Sequence, residues 1–327
     1  MVMSGGADGV SRDLDGHGRS ATRPWIEKGL LGPESIEGIT RLRGGWTSEM
    51  RRLDISGPQG QRAVVLRSFV KPFYLQHAEG LLTREAGVLR LLEGTDVPAA
   101  TLLDVDATAK HCDYPSLLMS LLPGSVRLAD QEAVQRLDLL ARQLLVIHRV
   151  QVSAETQPRP YQAWTTAERV SLPAATERPE LWRRAVDVIR RQPPDYLPCF
   201  LHRDFHPGNI LFDGNGNDLR ISGVVDWVET SWGPADLDVA HCSTALALLH
   251  GVPVGMSFAD RYVAAGGTLA GDQAAHLYWR LLDALAFAPD AEKVAVPWRE
   301  LGRTDLTHTV LTNRLEGYIQ ALFDRYA

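Results

Sequence analysis

Residues 201–227 read LHRDFHPGNILFDGNGNDLRISGVVDW, and this stretch decides the fold of the chain. It carries Asp204, then Asn209 five residues later, and Asp226 at the end of an apolar run. Phosphoryl transfer that depends on a divalent metal uses these residue types. One carboxylate orients the attacking hydroxyl and accepts its proton, while an Asn and a second carboxylate hold magnesium beside the nucleotide phosphates. The stretch therefore predicts a phosphoryl-transfer site.

The same stretch predicts a β-hairpin, because two strand-like apolar runs flank a Gly-Asn-Gly-Asn turn at 214–217. Mirror pairing about that turn places Asp226 opposite Phe205, on the same rim as the other two polar groups. One hairpin would then gather all three. Residues 202–209 also match the H-R-D-x-x-x-x-N pattern of the protein-kinase catalytic loop letter for letter.

Length and composition describe a soluble globular protein. The 327 residues are enough for about two domains with buried cores, and 45% are hydrophobic and 23% charged. A net charge of −6 argues against nucleic acid or an anionic membrane as a partner. Cys112, Cys199 and Cys242 are odd in number and widely spaced, which argues against a disulfide framework. We therefore expect a cytoplasmic protein without a nucleic-acid or membrane partner.

The chain divides by composition into three segments. Residues 1–22 are rich in Gly, Asp, Arg and Ser, which predicts a disordered tail. Residues 23–122 are strand-rich with one prominent helix and predict an N-terminal lobe. Residues 123–327 are mostly helix-forming and predict a helical C-terminal lobe with one inserted hairpin. A signal peptide or membrane span of roughly 18 apolar residues is not predicted.

The first lobe contains a candidate phosphate-binding loop. Gly44 and Gly45 lie between two predicted strands and are followed by Thr47 and Ser48. Two glycines let backbone N–H groups approach phosphate oxygens closely, and the two hydroxyls would add donors. A plain hairpin turn is the more common use of a Gly-Gly pair, so both interpretations stay open.

Two charged residues of the first lobe match a kinase pair. Arg67 lies in a predicted strand where a kinase carries its phosphate-contacting Lys, and Glu85 lies in the helix that follows. The Glu could pair with the Arg as the helix glutamate of a kinase pairs with its lysine. Without such a pairing, both would be ordinary surface charges.

Other polar residues near the central stretch have structural interpretations. The H-x-x-x-H spacing that begins at His202 lacks the Glu of a zinc-hydrolase motif and lies in a predicted loop. His202 is therefore interpreted as a loop-packing residue, and Arg203 as a surface charge. His148 lies on an apolar helix stripe and is interpreted as a core histidine. Asp236 and Asp238 are expected to hold loop backbone or cap the next helix.

The motifs, taken in order, resemble those of the aminoglycoside phosphotransferase and choline kinase-like family of small-molecule kinases. They are RGGWTS (43–48), VVLR (64–67), REAGVLRLL (84–92), PSLLMSLLPG (115–124), LARQLLVIH (140–148), HRDFHPGNIL (202–211) and GVVDWVETSWGPADLDVAH (223–241). The resemblance implies an α+β, two-lobed protein-kinase-like fold with a β-rich N-terminal lobe and a mainly helical C-terminal lobe.

The resemblance also implies roles for individual residues. Asp204 would deprotonate the acceptor hydroxyl, while Asn209 and Asp226 would hold Mg²⁺. In the first lobe, which would bind ATP or GTP as phosphate donor, the implied nucleotide contacts are Gly44, Gly45, Thr47, Ser48, Arg67 with Glu85, Met119 and Leu121.

Two departures from the protein-kinase pattern bear on function. Arg67 replaces the usual Lys, and its forked guanidinium keeps the charge but changes the geometry offered to phosphate. Only a few residues separate Asp226 from the next helical pattern at Asp236. This leaves no room for the activation segment of a kinase that acts on proteins. The pattern therefore favours a small-molecule acceptor.

The identity of the acceptor is open. Residues 226–327 contain 13 acidic and 7 basic side chains, and such acidity would attract a polycationic antibiotic such as an aminoglycoside. Glu229, close to Asp226, is the candidate acceptor contact. A solvated acidic surface explains the charge equally well, and the aromatic residues of the last helices would suit a macrolide or a metabolite. The alternatives are a metabolic kinase for an amino alcohol, homoserine or a sugar, and a catalytically silent nucleotide-binding scaffold.

Overall fold

The computed structural model describes residues 20–30, 33–42, 47–174 and 176–327. The chain divides into two compact units. The first unit is Met1–Gly87 with Thr101–Leu121, and the second is Val88–Ala100 with Leu122–Ala327. Most of the predicted tail, residues 1–19, lies outside the described residues.

The described part of the chain contains ten α-helices and ten strands. The helices are α1 (Thr22–Gly29), α2 (Pro72–Leu75), α3 (Ala78–Leu92), α4 (Ala133–His148), α5 (Pro179–Ile189), α6 (Ala235–His250), α7 (Val252–Ala264), α8 (Gln273–Ala284), α9 (Glu292–Glu300) and α10 (His308–Tyr326). The strands are β1 (Ser35–Leu42), β2 (Glu49–Gly57), β3 (Gly60–Ser68), β4 (Leu102–Asp106), β5 (Ser116–Ser120), β6 (Ser125–Val126), β7 (Pro198–Leu201), β8 (Ile210–Asp213), β9 (Arg220–Val224) and β10 (Ser231–Pro234). None of these helices combines the length and apolar character needed to span a bilayer.

The first unit is built on a five-stranded antiparallel sheet in the order β1-β2-β3-β5-β4. Residues of β2 alternate between buried and more exposed positions, so Leu53 and Ile55 reach the core from one face of the strand. Helix α1 adds Trp25 and Ile26 to the same core. Arg67 lies on β3, which pairs directly with β5.

Helix α1 was not predicted, and it begins inside the segment expected to be tail. Thr22 is almost fully buried, and its hydroxyl donates to the Asp113 carboxylate at 2.7 Å. The Ser20 hydroxyl donates to the same carboxylate at 2.6 Å. A distant Asp therefore orders the start of this helix, and such a contact leaves no signal in the composition of residues 20–22.

The second unit is mainly helical, and α6 is its central element. Fifteen of the sixteen residues of α6 are buried, as expected for a helix that is apolar on every side. It packs in one core with residues of α5, α8 and α10. Because α6 is buried throughout, its polar residues Asp238 and His241 are fixed inside the unit. The predicted fold class, a β-rich part followed by a mainly helical part, is confirmed.

The predicted hairpin is present as β8 and β9, but its register was predicted wrongly. The Val225 N–H donates to the Asn209 carbonyl at 3.0 Å, in line with the ladder between the two strands. Asp226 therefore does not lie opposite Phe205, and the prediction is wrong by three positions. The pairing differs from an ideal hairpin because the connection between the strands contains a 3₁₀ turn at Gly216–Asp218. The register also shifts within the ladder.

Candidate active site

The loop of residues 202–209, here called the HRD loop, connects β7 to β8. Arg203 in this loop has φ +72°, and Asp226 beyond β9 has φ +67°. Positive φ is uncommon for residues other than glycine and costs on the order of 1–3 kcal/mol when the surroundings impose it. The surroundings of the HRD loop therefore have to hold its backbone in place.

Asp238 of α6 holds the start of the HRD loop. Its carboxylate accepts the backbone N–H groups of His202 at 2.8 Å and Arg203 at 2.7 Å, and it also contacts His148 Nε2 at 3.2 Å. Burial acts to raise the pKa of Asp238, but His148, His202 and Arg203 lower it below its ordinary value. The carboxylate is thus a buried anion with a hydrogen bond on each oxygen. The structural interpretations of Asp238 and His148 are confirmed.

His202 links the HRD loop to the end of β9. Its Nδ1 accepts the backbone N–H of Asp204 at 3.2 Å, so its Nε2 carries the proton and donates to the Val225 carbonyl at 3.1 Å. Burial lowers the pKa of His202 despite the nearby carboxylates of Asp238, Asp204 and Asp226. This neutral imidazole positions both Asp204 and the residue before Asp226. Its interpretation as a loop-packing residue is confirmed.

Asp204 and Asn209 are in direct contact. The side-chain amide of Asn209 donates to the Asp204 carbonyl and to Asp204 Oδ2, each at 2.9 Å. An Asn amide has two hydrogens and one oxygen. Because Asp204 takes both hydrogens, the amide oxygen is the atom left to bind a cation.

Asp226 directly follows Val225, whose backbone bonds both to Asn209 and to His202. The second unit thus brings the three predicted catalytic residues to one place through backbone and side-chain hydrogen bonds. An Asn oxygen and a carboxylate are hard ligands of the kind that Mg²⁺ prefers. The residues present therefore fit a magnesium ion held by Asn209 and Asp226.

Two histidines flank Asp204. His241 Nε2 lies 3.1 Å from Asp204 Oδ1, and His206 Nε2 lies 3.7 Å from the same oxygen. Burial acts to raise the pKa of Asp204, but His206 and His241 lower it well below its ordinary value. Burial acts to lower the pKa of His241, but Asp283 and Asp204 raise it to about 9. Asp204 is therefore ionised, and a charged imidazole lies beside it at neutral pH.

A metal held by Asp204, His206 and His241 is disfavoured by the hydrogen bonds. The three offer ligand atoms within 4.8 Å of one another. However, His206 Nδ1 accepts the Gly208 N–H at 3.0 Å, so the proton of His206 lies on Nε2, which faces Asp204. Both nitrogens of His241 face carboxylates as well. The ring atoms nearest Asp204 carry protons and cannot donate a lone pair to a metal.

In the first unit, Arg67 and Glu85 form a buried pair. Arg67 Nη1 donates to both oxygens of Glu85, at 2.8 and 2.9 Å, and Arg67 Nε donates to the Ser48 hydroxyl at 2.9 Å. Thr47 lies at the edge of this group, with its hydroxyl 3.4 Å from Arg67 Nη2. Arg67 and Glu85 are 3% and 1% exposed, so they are not the surface charges of the alternative interpretation.

The other predicted nucleotide contacts are only partly described. Gly44 and Gly45 lie outside the described residues. Met119 is buried on β5 opposite Val65, and Leu121 follows the end of that strand. Their part in nucleotide binding stays a prediction.

Two further residues differ from the sequence interpretation or add to it. Arg203 is not a surface charge: it is 3% exposed and its guanidinium lies over the Trp164 ring, 4.3 Å from the centroid. Glu229, the candidate acceptor contact, pairs with Arg159 at 2.9 Å and remains one-third exposed. The sequence could not indicate the burial of Arg203, because Trp164 lies 39 residues away along the chain.

His206, His241 and Asp283 were missed as site residues. His206 lies inside the HRD loop, and His241 closes the motif GVVDWVETSWGPADLDVAH, so position in the motifs could have identified both. Asp283 lies on α8 and has no sequence signal, since only the packing of α8 against α6 brings it to His241.

Comparison with known proteins adds three findings. A model of the phosphotransferase enzyme family matches residues 38–279, about three quarters of the chain. Over 223 residues the chain is 26% identical to acyl-CoA dehydrogenase family member 10 from Mus musculus, a match that covers 62% of the chain. The chain spans about a fifth of the length of that curated relative.

Solved structures share the fold. The GDP and kanamycin complex of APH(2″)-IIIa superposes with a TM-score of 0.58 at 17% identity, covering 91% of this chain and 96% of the other. A thermostable mutant of APH(4)-Ia in complex with AMP-PNP and hygromycin B gives a TM-score of 0.58 at 16% identity, covering 93% and 98%. The predicted two-lobed kinase-like fold is thereby confirmed.

Proposed function

Because the chain belongs to the phosphotransferase enzyme family, we propose that it is a small-molecule kinase that acts on a hydroxyl group, with Asp204 as its catalytic base. The acceptor hydroxyl would give its proton to the Asp204 carboxylate and attack the γ-phosphoryl group of ATP or GTP. The observation that carries the proposal is the double hydrogen bond from Asn209 to Asp204, at 2.9 Å each. It places a base and a candidate metal ligand side by side.

The state of Asp204 supports this role. A base must be unprotonated at working pH, and the pKa of Asp204 is lowered by His206 and His241 despite its burial. Its side chain is 30% exposed, so a hydroxyl can approach it. As the acceptor oxygen bonds to the γ-phosphorus, its proton passes to Asp204. The bond between the γ-phosphorus and the bridging oxygen breaks, and the nucleoside diphosphate leaves.

Asn209 and Asp226 would hold Mg²⁺ through oxygen atoms. The ion, when bound, would neutralise charge on the β- and γ-phosphates during transfer. The part of this chain is to fix the two ligands: Asn209 through Asp204, and Asp226 through the bonds of its neighbour Val225.

We further propose that residues 23–122 form the nucleotide-binding lobe. The buried Arg67–Glu85 pair, with Ser48 on Arg67 Nε, supports a nucleotide contact by Thr47, Ser48 and Arg67. Intact catalytic residues together with this pair favour a working kinase over a silent scaffold. Residues 123–327 would carry the catalytic and acceptor-binding functions.

Two classes of acceptor are supported by different observations. An aminoglycoside-like antibiotic is supported by the solved structures, whose complexes contain kanamycin and hygromycin B. An uncharged or anionic hydroxyl compound, such as a sugar, is supported by the charged imidazole of His241 beside Asp204. In addition, Glu229 is already neutralised by Arg159, which weakens its attraction for a polycation.

The test is a panel of acceptors incubated with Mg²⁺ and either ATP or GTP, with mass spectrometry to detect phosphate esters. The panel contains aminoglycosides, a macrolide, amino alcohols, homoserine and sugars. Asp204→Ala should lower turnover by about 10²–10⁴-fold while nucleotide binding changes little. Asp213→Asn, an exposed carboxylate at the end of β8, is the matched control and should keep full activity. Transfer by Asp204→Ala at the wild-type rate would overturn the assignment of the base.

A further inference from the structure

His241 on α6 lies between two carboxylates. Its Nε2 is 3.1 Å from Asp204 Oδ1 and its Nδ1 is 3.0 Å from Asp283 Oδ1. The second oxygen of Asp283 accepts the Thr244 hydroxyl at 2.6 Å. His241 and Asp283 are 5% and 4% exposed, so this chain of contacts runs from the active site into the core of the unit.

The contacts require His241 to carry two protons. Each ring nitrogen faces an anionic oxygen, and a lone pair directed at a carboxylate would be repelled. With both N–H groups donating, the ring is an imidazolium, and Asp283 balances its charge inside the unit. Without Asp283, a buried cation would face Asp204 alone.

Neighbouring rings fix the plane of His241. Phe287 stacks on it with ring centroids 5.9 Å apart and planes 18° apart, and Trp164 contacts it edge-on at 4.8 Å. His206 approaches from a third direction, with centroids 5.7 Å apart. The ring therefore has one orientation, in which Nε2 is directed at Asp204.

The two oxygens of Asp204 are consequently held by different residues. His241 binds Oδ1 and Asn209 binds Oδ2. A carboxylate with only one of these bonds could rotate about its Cβ–Cγ bond, whereas two bonds in different directions fix its plane. Orientation of this kind is worth a large factor in rate when the reacting atoms must align.

We propose that His241, held by Asp283, is a positioning residue that fixes the carboxylate of Asp204 for attack by the acceptor hydroxyl. The inference rests on the proposed function, because it assigns His241 a part in the action of Asp204 as base. Asp283 acts one step further away, by keeping both His241 protons and the ring orientation in place.

The first test measures Mg²⁺-dependent hydrolysis of ATP and GTP with water as acceptor, so that no acceptor has to be known. His241→Gln keeps volume and one neutral donor but loses the charge and the link to Asp283. It should lower kcat by about 10- to 100-fold, while KM for the nucleotide stays within about twofold. Asp283→Asn should lower kcat by about 10-fold. A purely structural role would change protein stability without this separation of kcat from KM.

The matched control is His250→Gln. His250 lies on the same helix and contacts an aspartate, Asp130, at 2.6 Å, but it lies away from the HRD loop. The kcat of His250→Gln should equal that of the wild type. If Asp204→Ala is inactive but His241→Gln and Asp283→Asn keep wild-type kcat, the inference fails and the proposed function survives. If Asp204→Ala is active, the proposed function fails.

The second test does not depend on activity. Protein labelled with ¹⁵N-histidine should show a signal from an imidazole with both ring nitrogens protonated at pH 7.5, and this signal should be absent from His241→Gln. Asp283→Asn, which keeps His241, should move the signal toward the neutral pattern, so the test holds even if His241→Gln does not fold. A neutral tautomer at His241 in the wild-type protein would overturn the inference.

Discussion

At the residue scale, the candidate site depends on which atom of each side chain carries a proton. His202 is neutral because it accepts at Nδ1 and donates at Nε2. His206 is neutral as well, since burial lowers its pKa to about 4 even though Asp204 opposes the shift. His241 is charged because it lies between two carboxylates. Of these three histidines, two are therefore neutral and one is charged.

The charge of His241 predicts a dependence of stability on pH. Its pKa is about 9 in the folded chain, against about 6.5 for an ordinary histidine. A raised pKa stabilises the folded state fully below pH 6.5, and this contribution is lost as pH rises through about 9. We expect the free energy of unfolding to fall by about 3 kcal/mol over that range through this residue.

Urea denaturation of the wild type and of His241→Gln between pH 6 and pH 10 measures this contribution. The variant should be less stable at pH 6 and should lose less stability on going to pH 10. Equal slopes for the two proteins would show that folding does not raise the pKa of His241.

At the element scale, helix α6 holds the HRD loop through Asp238. Asp238 accepts two backbone N–H groups at the point where Arg203 adopts positive φ. Because α6 is buried along its length, it acts as a rigid support for the loop. The unusual backbone of the loop is thus maintained by a carboxylate on another element.

Asp238→Asn should destabilise the protein by about 2–4 kcal/mol. The amide oxygen can accept only one of the two N–H groups well, while the amide nitrogen would face the other and leave a buried donor unpaired. Asp260→Asn, an exposed residue of α7 paired with Arg325, should change stability by less than about 1 kcal/mol. Urea denaturation compares the two. Equal effects would show that Asp238 does not support the loop.

Strand β3 offers a second comparison, because it carries both a buried and an exposed ion pair. Arg67→Met would leave Glu85 buried without its cation and should cost about 3–5 kcal/mol. Arg62→Met on the same strand breaks an exposed pair with Glu34 and should cost less than about 1 kcal/mol. Arg67→Lys should recover most of the loss, since it restores the charge. A loss in Arg67→Met no larger than in Arg62→Met would contradict the burial of the pair.

At the scale of the whole molecule, the chain combines a β-rich unit and a helical unit, and the proposed function assigns the nucleotide to the first and the chemistry to the second. A ligand that binds only the folded state raises its stability by mass action. Nucleotide binding that uses Mg²⁺ should therefore be visible in thermal unfolding even when the acceptor is unknown.

Mg²⁺ with ATP or GTP at about 100 times Kd should stabilise the wild type by about 2.7 kcal/mol and raise Tm by several degrees. Nucleotide with EDTA should give a smaller shift. Asp226→Asn should remove the difference between magnesium and EDTA while keeping the metal-free shift. A wild-type Tm that does not respond to magnesium would count against the proposal that Asn209 and Asp226 hold the metal.

Much of the fold was predictable because periodicity and local motifs encode it. Residues 131–150 and 307–326 have helical apolar spacing, and α4 and α10 are present there. Helix α9 is harder to predict, because Pro297 lies inside it and proline disfavours the interior of a helix. The register of the hairpin was wrong because a 3₁₀ turn takes up residues that an ideal turn would not.

The sequence by itself determined the family of the fold, and it predicted Asp204, Asn209 and Asp226 as site residues, since these lie within 23 positions of one another around a single hairpin. Only the tertiary structure decided their surroundings. Asp238, His241 and Asp283 reach the HRD loop from α6 and α8, which are separate in the chain. Residues that act together within one hairpin can be recognised from their spacing along the chain. The charge state of a buried group depends instead on which distant side chains the packing of helices places beside it.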